Sequence, residues 1–137
     1  MIIAVCIDDE NGMTFFGKRQ SRDRELIKNY MELCGGKTRI SPFSMILFEN
    51  VNVTIDCDLL DNAERGEYCF IENKDILPYS DRIEKFIVYK WNRCYPCDRR
   101  FVMPEGFRLS DSSDFKGYSH DNITREIYLR KEKSDEQ

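Results

Sequence analysis

Apolar and polar positions follow two rhythms along this chain, and the change between them sets the order of elements. Ile2–Ile7 contains no charged or strongly polar residue and closes on Asp8, Asp9, Asn11 and Gly12. Such a run predicts a strand buried on both faces that leaves into a turn. A loop carrying Gly12 and Gly17 follows. Across residues 21–34 the apolar side chains fall at Leu26, Ile27, Tyr30, Met31, Leu33 and Cys34, the spacing of one helical face, with Ser21 placed as cap and Gly35-Gly36 as stop. Leu26, Ile27, Tyr30 and Leu33 are expected to pack that helix across a sheet. Ser41-Pro42 predicts a short second helix carrying Met45, Ile46 and Phe48, since Ser suits the cap and Pro the first turn. Val51, Val53 and Ile55 then alternate with polar residues as a half-buried strand does. Residues 59–65 predict a short helix stopped at Gly66, and residues 68–71 a further strand.

The second half is dominated by strands. Residues 83–91 are rich in β-branched and aromatic side chains, and 101–103, 108–110 and Ile123–Arg130 continue the β pattern between turn-forming clusters. Helices alternate with strands early and strands alone follow. The order predicts an α/β fold, a single mixed sheet flanked by helices, parallel where helices cross over and antiparallel toward its C-terminal edge. No repeat or linker interrupts it, so residues 1–130 are expected to form one domain. Residues 131–137 contain no apolar side chain and are expected to be a disordered charged tail.

Composition narrows the functional classes. A chain of 137 residues can bury a self-sufficient core without disulfides or metals. The formal charge of −4 argues against a nucleic-acid or acidic-membrane partner. The N-terminal run is too short and too quickly acidic for a signal peptide, and no stretch approaches a membrane span. A reducing cytoplasm is the expected home, with the six cysteines as free thiols.

Two of those cysteines form Cys94-Tyr95-Pro96-Cys97. A thioredoxin-type pair opens a helix whose N-terminal amides stabilise the thiolate. Here a long strand candidate precedes the pair and Pro104 follows soon after, which leaves no room for that helix. Structural zinc needs four Cys or His ligands, and the chain has no second such pair and only His120. The pair is expected to flank a bend, with neighbouring arginines lowering a thiol pKa; a thiol or metal protein using Cys94 and Cys97 stays open as an alternative.

Leu77-Pro78-Tyr79-Ser80-Asp81-Arg82-Ile83, the strand after it, Tyr95-Pro96, then Phe115-Lys116-Gly117 and the closing strand resemble the C-terminal half of dihydrofolate reductase. At the N-terminus, MIIAVCIDDENGM is similar to that family's first strand and mobile active-site loop. The resemblance implies a dihydrofolate reductase-like sheet. It also places Asp23 near the family's catalytic acid. The departures point the other way. Where the family has a Pro-Trp pair this chain has Gly17-Lys18-Arg19-Gln20, and where it has a Gly-Gly turn beside the cofactor this chain has Cys69-Phe70-Ile71-Glu72-Asn73. The segment 36–68 is a shortened nucleotide-binding part that lacks the family's Gly-Arg-x-Thr signature. No nicotinamide cofactor is expected, and the implied NADPH site is lost. The chain also resembles short bacterial proteins sometimes labelled ribonuclease Z. Enzymes of that name hold two zinc ions with several histidines and aspartates, and one histidine cannot build such a site.

Asp23 then has two readings. In one it is a catalytic acid in an apolar pocket, relaying a proton to a bound heterocycle; in the other it is a carboxylate favoured by the dipole of a helix start. Lys18, Arg19, Arg22 and Arg24 surround the same point, either as an anion site or as a solvated basic loop. Three function classes follow: a non-catalytic pseudoenzyme whose partner is a small molecule or protein, an enzyme using Asp23 on a small heterocyclic or anionic ligand, and the thiol or metal protein.

Overall fold

The computed structural model describes residues 1–48 and 52–131. Its first strand β1 (Ile2–Ile7) is an interior strand, as the unbroken apolar run predicts. The expected loop after it is a hairpin of β2 (Gly12–Phe15) and β3 (Lys18–Arg19). Phe16 and Gly17 have φ of 49° and 74°, the left-handed pair whose twist suits a two-residue hairpin turn.

Helix α1 (Arg24–Leu33) is capped by Asp23, not by Ser21. Asp23 accepts from the amides of Glu25 and Leu26 at 2.9 and 3.3 Å. The Ser21 hydroxyl instead meets His120, which shifts the start of the helix past it. At the far end Gly35 and Gly36 take positive φ, and the Gly36 amide reaches back to the Met31 carbonyl at 2.9 Å, closing the helix as predicted. Leu26 and Tyr30 are fully buried, while Ile27 and Leu33 are half-buried against the same core.

Next come β4 (Arg39–Ile40) and a 3-10 helix, Pro42–Phe48, which replaces the second α-helix expected after Ser41. Phe48 is buried, but Met45 and Ile46 are exposed. Strand β5 (Thr54–Ile55) occupies the end of the predicted alternation, whose Val51 lies outside the described residues. Helix α2 (Leu59–Asn62) is a single turn, shorter than predicted, because Ala63 is already extended. Strand β6 (Tyr68–Phe70), an unpredicted 3-10 helix Leu77–Arg82, and β7 (Lys85–Lys90) follow. The strand expected at 101–103 lies just before it, as β8 (Arg99–Arg100). The long final pair is β9 (Phe107–Phe115) and β10 (Ile123–Arg130).

These strands build one seven-stranded mixed sheet in the order β5-β4-β6-β1-β7-β10-β9 and a small sheet β3-β2-β8. The pairs from β5 to β7 are parallel and those made by β10 antiparallel, the arrangement inferred from the order of elements. Strand β1 alternates between two cores. Ile3, Val5 and Ile7 face Leu59, Phe86 and Val88 on one side, and Ala4 faces Leu26, Tyr30, Ile87 and Tyr89 on the other. Lys131 donates its amide to the Gly106 carbonyl at 2.8 Å, and the remainder of the predicted tail lies outside the described residues. Among the described residues no helix is long and apolar enough to cross a membrane.

Candidate functional site

The C-terminal end of β1, the start of α1 and the turn after β6 meet around a cavity of ≈ 20 Å³. That is room for about one water molecule. The side chains of Arg19 and Glu72 occupy the space between helix and sheet. Arg19 Nε and Nη2 donate to the two Glu72 carboxylate oxygens at 2.9 and 2.8 Å, and Nη2 also donates to the Phe43 carbonyl at 2.8 Å. Ser44 Oγ donates to Glu72 Oε2 at 2.6 Å, and the guanidinium lies 4.6 Å above the Phe43 ring. The fork geometry gives two charge-assisted bonds that fix both planes. Arg19 and Glu72, each read in the sequence as a departure from the reductase pattern, are thus bonded to each other. Cys6 borders the same cavity, and burial, then the Glu72 charge, push its thiol well above the ordinary value.

Asp23 sits at the edge of this cleft with its carboxylate fully enclosed. Besides the two helix amides it accepts from the Tyr118 and Ser119 amides, both at 2.9 Å, and from Ser119 Oγ at 3.3 Å. Gly117 makes this approach possible, since a Cβ there would stand 2.6 Å from Asp23 Oδ2. Burial alone would raise the Asp23 pKa, but hydrogen bonds from Tyr118, His120, Ser119 and Leu26 outweigh it and hold the carboxyl well below the usual carboxylate range.

His120 completes the arrangement. Its Nδ1 lies 2.9 Å from Asp23 Oδ2 and its Nε2 2.9 Å from Ser21 Oγ and 3.2 Å from the Tyr95 hydroxyl. The buried ring stacks on Trp91 with centroids 4.6 Å apart. An ionised Asp23 assigns the Nδ1 proton to the side facing it, so Nε2 of the neutral ring is left to accept. Asp8 anchors the bend that carries Tyr95. Its carboxylate takes the Gly12, Glu10 and Tyr95 amides at 2.6, 2.9 and 3.0 Å and Gln20 Nε2 at 3.2 Å. Burial works against ionisation of Asp8, but those bonds prevail and lower its pKa.

The four basic residues near the helix start do not converge. Lys18 is exposed on the hairpin, Arg19 is turned inward onto Glu72, and Arg22 and Arg24 are exposed along a neighbouring groove of ≈ 500 Å³. Arg24 stacks 3.6 Å above the Tyr118 ring, and Ile27, Ile46 and Leu47 supply the groove's apolar wall. Cys94 and Cys97 are free thiols on the bend after β7. The Cys94 thiol is held above its ordinary value by desolvation and then by Glu10, Asp8 and Asp9, opposite to the lowering expected from nearby arginines. Among the described residues no group of three or more His, Cys, Asp or Glu side chains is placed to hold a metal ion.

His120, Ser21 and Tyr95 were not legible as site residues. Asp23 and His120 are 97 positions apart, and no local spacing joins them. Tyr95-Pro96 and Phe115-Lys116-Gly117 stood out in the sequence as segments that resemble dihydrofolate reductase, without pointing to a site.

With this geometry in hand, comparison with known proteins gives the fold. A dihydrofolate reductase from Enterococcus faecalis, solved in complex with NADP(H) and RAB-propyl, matches 96% of this chain over 97% of its own, with a TM-score of 0.67 and 12% sequence identity. The chain therefore has a dihydrofolate reductase-like fold. No family model matches the sequence, and no curated protein matches it either. Nothing in these comparisons connects the chain with ribonuclease Z.

Proposed function

We propose that this protein uses a dihydrofolate reductase-like scaffold without nicotinamide-dependent reduction. It is a pseudoenzyme with respect to that reaction, and its partner is a small molecule or another protein in the cytoplasm. The observation that carries the reading is the Arg19–Glu72 pair, locked by Ser44 and Phe43 across the cleft. Opening a cofactor path there means breaking three charge-assisted bonds to one carboxylate. At roughly 1.5 kcal/mol each this costs about 4.5 kcal/mol before any ligand contact forms, or about two thousandfold in affinity. Glu72 also places a negative charge where a pyrophosphate would need backbone amides. The low pKa of Asp23 further supports the reading, because a general acid must hold a proton near the working pH.

Calorimetric titration with NADPH at moderate salt tests the proposal. No saturable heat is expected at micromolar concentrations, and saturable micromolar binding would sink it. The same titration on Arg19→Ala with Glu72→Gly reports whether removing the plug restores a site.

A further inference from the structure

Ser21, His120 and Asp23 form a continuous hydrogen-bonded chain, with Ser21 Oγ 2.9 Å from His120 Nε2 and His120 Nδ1 2.9 Å from Asp23 Oδ2. We propose that Ser21 is the nucleophile of a hydrolytic site acting on short-chain carboxylic esters, with His120 as its general base and Asp23 as the residue that positions that base. The proposal concerns the mouth of the cleft and is independent of the lost reduction.

Each link has a physical reason. Asp23 is immobilised by four backbone amides, from Glu25, Leu26, Tyr118 and Ser119, so its remaining acceptor capacity is fixed in direction. It sets the Nδ1–H tautomer of His120, with Ser119 Oγ also 3.2 Å from Nδ1. Trp91 stacks on the imidazole and fixes the ring plane. Nε2 then has one lone pair and two hydroxyls beside it, Ser21 at 2.9 Å and Tyr95 at 3.2 Å. Only one can donate at a time. When Ser21 does, the Tyr95 proton is free for a developing oxyanion. Ser21 itself is half-exposed, so the nucleophile is reachable while its base is buried. These are the mutual distances required of a nucleophile, a base and an orienting group.

The step balances without a cofactor. Ser21 Oγ attacks the ester carbonyl carbon, its proton passes to His120 Nε2, and the carbonyl π electrons move to oxygen. Collapse of this tetrahedral adduct breaks the carbon–alkoxide bond, and the leaving alcohol takes the proton back from Nε2. Water, deprotonated by the same nitrogen, then attacks the acyl-serine carbonyl, and collapse of this second adduct breaks the bond to Ser21 Oγ, which takes the proton back from Nε2 as the carboxylic acid leaves.

The surroundings set the substrate class. The ≈ 20 Å³ cavity beside Ser21 admits an acyl part no larger than an acetyl methyl. The ≈ 500 Å³ groove shares Arg22, Asp23, Ile27 and Leu47 with it. It suits a larger alcohol part that is apolar and anionic, lying on Ile27 and Leu47 with its charge toward Arg22 and Arg24.

The test is incubation with p-nitrophenyl acetate at mildly alkaline pH, following nitrophenolate release and mapping acetylated peptides by mass spectrometry after acid quench. Wild-type protein is expected to give saturable release and a single acetyl group on the peptide containing Ser21. Ser21→Ala should lose about a hundredfold or more in rate, the scale of a general-base contribution, with its circular dichroism unchanged. Ser21→Cys should restore acetylation at that position through the thiolate. Asp23→Asn, whose side-chain oxygen can still accept from the helix amides, should lower kcat with KM little changed. Absence of release above the buffer rate in wild type, an unchanged rate in Ser21→Ala, or acetylation confined to other residues would each overturn the proposal. None of these outcomes depends on whether NADPH binds.

Discussion

At the scale of the residue, Asp23 joins three parts of the structure. It ends one helix, fixes the 117–120 turn and orients His120, all through one carboxylate. Asp23→Ala would leave four amides without their acceptor, two of them from a turn far along the chain. A cap contributes about 1 kcal/mol and each orphaned buried donor about 1 to 3, so a loss of about 3 kcal/mol is expected in urea denaturation at neutral pH. Asp23→Asn, which still accepts, should lose about half of that. The pH dependence has a definite sign. The folded-state pKa of Asp23 lies below its unfolded value, so its contribution is fully present above the unfolded pKa of about 4 and is lost as pH falls through the folded one. Denaturation midpoints of wild type and Asp23→Asn should therefore converge as pH is lowered below about 4. Midpoints that stay parallel would show that ionisation of Asp23 contributes nothing. Sequence reasoning found this residue through the resemblance to dihydrofolate reductase, which places it near that family's catalytic acid, and expected it inside the first helical turn, not at the cap it forms. It could not find His120, whose partners Ser21, Asp23 and Tyr95 lie far from it along the chain.

At the scale of the element, legibility followed burial. Strands β1 and β7 and helix α1 were readable because their apolar side chains repeat toward a core on one or both faces. Strand β3 and most of β9 were not, since an edge strand with polar, exposed side chains carries no hydrophobic period, and β2, although buried, has only four residues in which to show one. The bond between β3 and the turn after β6 was hidden for a different reason. Arg19 and Glu72 are 53 positions apart, and each was visible only as a charge in an unexpected place. Together they form a clamp that holds the hairpin against the parallel half of the sheet. Arg19→Ala alone leaves the largely buried Glu72 carboxylate with Ser44 as its remaining partner. That should cost about 2 to 3 kcal/mol, as removal of one member of a buried hydrogen-bonded pair does after allowance for the exposure of the arginine. Arg19→Ala with Glu72→Gln should cost less than the sum of the two single changes, with a coupling of about 1 to 3 kcal/mol. Strict additivity in such a double-mutant cycle would mean that the clamp holds nothing.

At the scale of the whole molecule, the described residues bury two apolar clusters, one on each face of the seven-stranded sheet. Leu26 on α1 is fully buried against Ala4, Ile87 and Tyr89, and Leu59 on α2 is fully buried against Ile3, Val5 and Phe86 on the other face. Neighbouring positions of β1 and β7 alternate between those cores, so each strand is stabilised from both sides and neither layer can melt without exposing it. Truncation of either leucine to alanine removes buried methyl groups and leaves a cavity, at about 2 to 5 kcal/mol. The two side chains lie on opposite sides of a layered structure whose spacing is roughly 10 Å and share no partner, so the double variant should lose the sum of the single losses to within about 0.5 kcal/mol. If the cores are coupled through the strands as the register indicates, each variant should still unfold in one transition, with coincident midpoints by tryptophan fluorescence and far-ultraviolet circular dichroism. Trp91 reports on the α1 core, which makes the comparison informative. Separate midpoints for the two probes in Leu26→Ala would mean that this core unfolds on its own and that the sheet is held by the other face alone.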